Sequence, residues 1–148
     1  MRLSGSTTIR APAAAIWAFL MTADRLRGCL PGCERFEPCG PDQFEAQLRL
    51  GVGWLKGSYS GTLLITEQQP PGVLGLAVEG SGALGSLAAS GTLHFDEVAG
   101  ATHLAYDGEA HVGGAIAALG EGVISATASR LIERFFDCVA SHVEAPAR

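Results

Sequence analysis

The chain of 148 residues is 47% hydrophobic and only 17% charged, with a formal charge of -5. That balance excludes a nucleic-acid partner, because phosphate binding needs clustered Lys and Arg and the ten basic residues are scattered. No polybasic run suits an anionic membrane surface, and no stretch approaches the ~20 apolar residues of a membrane-crossing helix.

Leu3–Arg10 alternates as a strand, with Leu3, Gly5, Thr7 and Ile9 on one face. The run APAAAIWAFLM after Arg10 has the texture of a signal-peptide core. It lies behind a strand, however, carries Pro12 near its start and has no small-residue cleavage site after it. Pro12 suits a first helical turn, where no backbone donor is needed, so a helix is predicted over Pro12–Thr22. Without a leader the chain is expected in the cytoplasm, where thiols stay reduced. A second short helix is predicted over Asp24–Cys29, capped by Asp24.

Residues 28–40, GCLPGCERFEPCG, hold three of the four cysteines. Cys29 and Cys33 are separated by Leu30-Pro31-Gly32 and so form no C-x-x-C pair. A zinc site takes four ligands, usually in two close pairs; here only Cys39 follows, and the nearest histidine in sequence is His94. Leu30-Pro31-Gly32-Cys33 suits a type II turn, with Gly32 where φ must be positive. The stretch is expected to be a structural joint with reduced thiols and no metal.

From Glu34 to Val112 about six strands are predicted, separated by turns at Cys39–Asp42, Val52–Leu55, Gln69–Gly72, Gly80–Gly85 and Val98–Ala101. Phe44, Ala46, Leu48 and Leu50 alternate with polar neighbours, the signature of a sheet buried on one face. Gly80–Gly85 matches GxGxxG, but no helix follows it, which makes it a glycine-rich hairpin rather than a dinucleotide loop. Gly51–Gly57 resembles a phosphate loop only in outline. His103, Asp107, Glu109 and His111 are ligand-type residues on one strand face. Residues alternating on a strand stand roughly 6.5–7 Å apart, so the four cannot share one ion. Leu104, Tyr106 and Val112 take the inward positions, and the row is expected in water, as is His94.

Ile116–Val143 is predicted helical, starting late or bending at Gly120 and Gly122. Ile124, Ala128, Leu131, Phe135 and Cys138 form one stripe, with Arg130, Glu133, Arg134, Asp137 and Ser141 opposite. Residues 1–143 are expected to form one domain, with 144–148 as a short tail. A large sheet and one long helix pack by the sheet curling around the helix, with the two short helices closing one end. One helix does not fill that concavity, so a cavity is expected. The candidate wall residues are Leu48, Tyr59, Leu76, Leu93 and Tyr106 on strands and Leu131 and Phe135 on the helix. Trp17 and Trp54 are candidates for the two ends. No G-x-S-x-G, H-E-x-x-H or Cys/His pair is present, and the inward positions are almost free of titratable groups. The residues read as a binding module with no catalytic residue, cofactor or metal.

M-R-L-S-G-S at the start, G-C-L-P-G-C-E at 28–34, G-V-G-W-L-K-G-S-Y-S-G at 51–61, Y-D-G-E-A-H-V-G-G at 106–114 and L-I-E-R-F-F at 131–136 occur in this order. Together they resemble the CoxG family of carbon monoxide dehydrogenase proteins, from Met1 to about Val143. Cys39 and Trp54 stand outside the family's pattern. That family belongs to the START-like (SRPBCC) superfamily of ligand-binding and polyketide-cyclase proteins. The resemblance implies an α+β helix-grip fold: a seven-stranded antiparallel curved sheet around a long C-terminal helix, with two short helices between strands 1 and 2. It also implies an accessory protein of a molybdenum hydroxylase, holding a quinone or lipid-like molecule in an apolar cavity. Longer members end in a hydrophobic anchor, absent before Arg148, so any membrane placement is expected through a partner. The alternative is a cyclase or hydrolase acting on an aromatic or polyketide-like substrate in the same cavity. The sequence leaves a homodimer open.

Overall fold

The computed structural model describes residues 1–52 and 55–144. In chain order it places β1 (Arg2–Ile9), α1 (Ala13–Leu20), α2 (Ala23–Arg27), β2 (Cys33–Gly40), β3 (Gln43–Val52), β4 (Leu55–Gln69), β5 (Val73–Gly82), β6 (Gly85–Val98) and β7 (Ala101–Gly113). A 3-10 turn (Gly114–Leu119) then leads into α3 (Glu121–Val143). All seven strands form one sheet in the order β1-β7-β6-β5-β4-β3-β2, antiparallel throughout. β1 and β2 are therefore its two edges, and α1 and α2 carry the chain from one edge to the other. The architecture is the expected helix-grip.

Every predicted turn falls between two strands. The Gly80–Gly85 stretch is a hairpin in which Gly82 pairs Gly85, and it runs into β6 rather than a helix. At the 28–40 joint, Cys33 N–H donates to the Leu30 carbonyl at 3.2 Å and Arg49 N–H to the Gly32 carbonyl at 2.8 Å. Gly32 has φ +61, the positive angle predicted for it. This turn seats the entrance of β2 on β3.

Local capping differs from expectation at α2. Thr22, not Asp24, is the N-cap, and its hydroxyl donates back to the Ala18 carbonyl at 2.8 Å. Asp24 lies in the first turn, where its charge complements the positive end of the helix. At α3, Gly120 with φ +87 separates the 3-10 turn from the helix, so the helix starts late, as predicted.

The core sits where α1, α3, β6 and β7 meet. Ile9, Ile16, Phe19, Leu104 and Val139 are essentially inaccessible. Thr102 is also fully buried, and its hydroxyl donates to the Ala11 carbonyl at 2.7 Å. That bond satisfies a buried polar pair and ties β7 to the entry of α1.

The inward side of α3 is turned from the predicted stripe. Ile124, Phe136 and Val139 are its buried residues, with Ile132, Phe135, Cys138 and Val143 packed at their sides. Leu131 is only half-buried, while Arg130, Glu133, Arg134, Asp137 and Ser141 are exposed as predicted. A helix in a concave sheet is covered on three sides, so its buried arc is wider than the stripe used to orient it.

The cysteines require a larger correction. Cys29, just after α2, and Cys138 on α3 form a disulfide across 109 residues, whereas four reduced thiols were expected. Cys33 and Cys39 are free. The partner of Cys29 lies at the far end of the chain, out of reach of any reading of local spacing.

Candidate functional site: an apolar cavity under the long helix

A cavity of about 340 Å3 lies between α3 and the sheet. Its position follows from strand alternation, in which every second side chain points to the same face. Leu63 and Ile65 on β4, Leu74, Leu76 and Val78 on β5, Leu93 on β6 and Tyr106 on β7 are wall residues of this kind. Ile132, Phe135 and Phe136 line it from α3, and Leu20, Met21, Leu26 and Leu30 from the helical connection. The aromatic side is layered, with the Phe135 ring edge-on to Phe136 at 5.4 Å and Tyr106 stacked on Phe136 at 6.1 Å.

Tyr106 brings a phenol to this wall. It pairs across the sheet with Gly5, where a Cβ would come within 2.5 Å of the Tyr106 hydroxyl oxygen. The glycine makes room for the ring. Burial, and then the negative charge of Glu133, push the Tyr106 hydroxyl above its ordinary pKa. It is therefore a neutral hydrogen-bonding group at physiological pH and a poor proton donor.

Asp107 and Glu109 border the cavity along β7, yet both are exposed. The Asp107 carboxylate accepts from Arg2 Nε and Nη2, each at 3.0 Å. This paired guanidinium holds the carboxyl below its usual range. His103 and His111 are exposed on the same face, as is His94 on β6, so the row of ligand-type residues lies in water, as its alternation implied.

Of the nine sequence candidates, Leu76, Leu93, Tyr106 and Phe135 line the cavity. Trp17 is 9% exposed and belongs to the core, its ring 5.6 Å from Phe95. Leu48 and Tyr59 pair with each other on β3 and β4 and lie outside the wall. The Tyr59 hydroxyl is buried with no hydrogen-bond partner among the described residues, and burial raises its pKa. Leu131 yields its place to Ile132, and Trp54 lies outside the described residues. The residues missed are Ile132 and Phe136, from the turn of α3, and those of the connection. Leu26 and Leu30, four apart beside the apolar end of α1, were the available signal.

A sequence model of the carbon monoxide dehydrogenase protein CoxG matches residues 5–144. The crystal structure of a conserved protein from Geobacillus kaustophilus is 30% identical, with 97% of this chain and 95% of that chain covered and a TM-score of 0.94. Norcoclaurine synthase from Thalictrum flavum, at 17% identity, 99% and 95% coverage and a TM-score of 0.71, shares the fold. So does the Zhui aromatase/cyclase from Streptomyces sp. R1128, at 14% identity, 97% and 93% coverage and 0.68. No curated protein matches the sequence. Among the described residues no helix is long and apolar enough to cross a membrane. The ligand-binding fold, the family match over most of the chain and the Geobacillus structure agree: the chain belongs to the CoxG family of carbon monoxide dehydrogenase proteins.

Proposed function

We propose that this chain is a non-catalytic carrier that holds an apolar small molecule of the quinone or lipid class in the cavity under α3. In this reading it serves a molybdenum hydroxylase of the carbon monoxide dehydrogenase type. The observation that carries the proposal is the wall itself: about 340 Å3 enclosed by aliphatic and aromatic side chains, with Tyr106 supplying a phenol. A volume near 300 Å3 is the lower end for small-molecule sites, enough for a ring system with the rest of a long molecule reaching outward. Burying apolar ligand surface contributes roughly 25 cal/mol per Å2. Association takes back several kcal/mol, so micromolar affinity is the expected range.

The enzymatic alternative draws on the fold shared with the aromatase/cyclase and norcoclaurine synthase. The carrier is favoured because the cavity wall offers no paired acid and base, and because the Tyr106 phenol is shifted away from useful acidity. The partner enzyme rests on the family name, and any peripheral membrane placement would come through that partner. The test is native mass spectrometry of the purified protein, followed by titration of delipidated protein with a quinone and a phospholipid. Retained apolar ligand and saturable binding are expected. Turnover of an aromatic polyketide-like substrate without such binding would transfer the role to the enzymatic alternative.

A further inference from the structure

We propose that Cys29, Cys138 and His142, once the disulfide is reduced, form a zinc site at the rim of the cavity. The three ligand atoms lie within 4.8 Å of one another, and His142 Nδ1 stands 3.9 Å from each sulfur. Zinc bound by sulfur at about 2.3 Å and by imidazole at about 2.0–2.1 Å in a tetrahedron sets sulfur and nitrogen about 3.6 Å apart. The nitrogen is already close to that position. Its ring is held by Phe19, with centroids 5.4 Å apart, and Nδ1 donates to the Cys138 carbonyl at 2.8 Å. On taking a metal, Nδ1 exchanges this bond for the ion and the imidazole carries its proton on Nε2.

The ligand chemistry selects the ion. Two thiolates and one imidazole are a soft-to-borderline set that suits zinc better than calcium, magnesium or manganese. Two thiolates also neutralise a divalent charge, which matters because Cys29 is only 5% exposed and a net charge there would be costly. Cys138 and His142 lie toward the surface, leaving the fourth position to water. The sequence alone argued against metal because it weighed only 28–40, whereas two of the three ligands come from α3.

The chemistry balances in two steps. A reductant supplies two electrons and two protons to the disulfide, giving two thiols. Zinc then displaces the two thiol protons. Leu26 and Leu30 flank Cys29, and Phe135 lies one turn before Cys138, all three in the cavity wall. Disulfide and zinc thus tie the same two elements together, and the reduced, metal-free chain leaves that rim untied. This inference is independent of what the cavity holds.

The test uses the full chain under anaerobic conditions, with and without tris(2-carboxyethyl)phosphine, which becomes its oxide as water supplies the oxygen and the two thiol protons. Cobalt(II) serves as the spectroscopic probe and zinc as its competitor. Reduced wild type is expected to bind one cobalt per chain with a thiolate-to-metal charge-transfer band that zinc abolishes, and oxidised wild type none. Cys138→Ser should weaken binding at least a hundredfold and His142→Ala at least tenfold, while Cys33→Ser/Cys39→Ser leaves it unchanged. The comparison of oxidised with reduced wild type needs no variant to fold. Absence of the band in reduced wild type, or binding that survives Cys138→Ser, would overturn the proposal.

Discussion

Gly32 illustrates how much one residue can decide at the joint between the helical connection and the sheet. Its φ is +61, and a Cβ there would collide with the Arg49 carbonyl of β3. A left-handed conformation costs a non-glycine residue about 1–2 kcal/mol before any clash. Gly32→Ala is therefore expected to destabilise the fold by about 2 kcal/mol or more, read as a lower urea midpoint at unchanged slope. Glu144 supports a second prediction at this scale. The sequence assigned it to the tail, yet its carboxylate accepts from Arg10 N–H at 2.9 Å and pairs with that guanidinium at 3.5 Å. The Arg10 N–H, and then its side chain, hold the carboxyl below the usual range against some desolvation. A depressed carboxyl stabilises the fold above its unfolded value of about 4.3. The contribution is lost as pH falls through the lower folded value. The stability gap between wild type and Glu144→Gln should be widest at neutral pH and vanish in strong acid; a gap that persists there would show that charge is not its source.

Among the elements, α3 carries the sharpest contrast, because two adjacent phenylalanines have different duties. Phe136 is 8% exposed within the core cluster, so Phe136→Ala should cost about 3–5 kcal/mol. Phe135 is half-buried and lines the cavity, where a new carboxylate meets space rather than packed atoms. Phe135→Asp is expected to remain folded by circular dichroism while losing apolar-ligand binding. If it unfolds outright, side chains fill the cavity and the carrier reading gives way to protein docking. The sequence made Phe135 legible through its helical stripe but not Phe136, because the stripe marks an apolar side without its angle. That angle is set by the curvature of the sheet beneath it, a property of seven strands together.

For the molecule as a whole, the Cys29–Cys138 disulfide joins the start of the sheet region to the last helix across 109 residues. A cross-link closing so long a loop limits the unfolded chain and contributes about 2–4 kcal/mol. In chelator-containing buffer, reduction should lower the urea midpoint by that amount, and Cys138→Ser should remove the sensitivity to reductant. An unchanged midpoint on reduction of wild type would mean that the packing of α3 alone holds this end.

The sequence by itself determined the order of elements, the five strand-to-strand turns, the solvated row from His103 to His111, and the family. Each of these is written in local signals: period-two alternation, glycine and proline at turns, and short motifs in a fixed order. Tertiary structure alone decided that Cys29 meets Cys138 and His142, that Ile132 and Phe136 face the cavity in place of Leu131, and that Leu48 and Tyr59 fall outside its wall. These are contacts between segments whose separation along the chain carries no periodic signal. They are settled by where a curved sheet leaves space after the helix has packed.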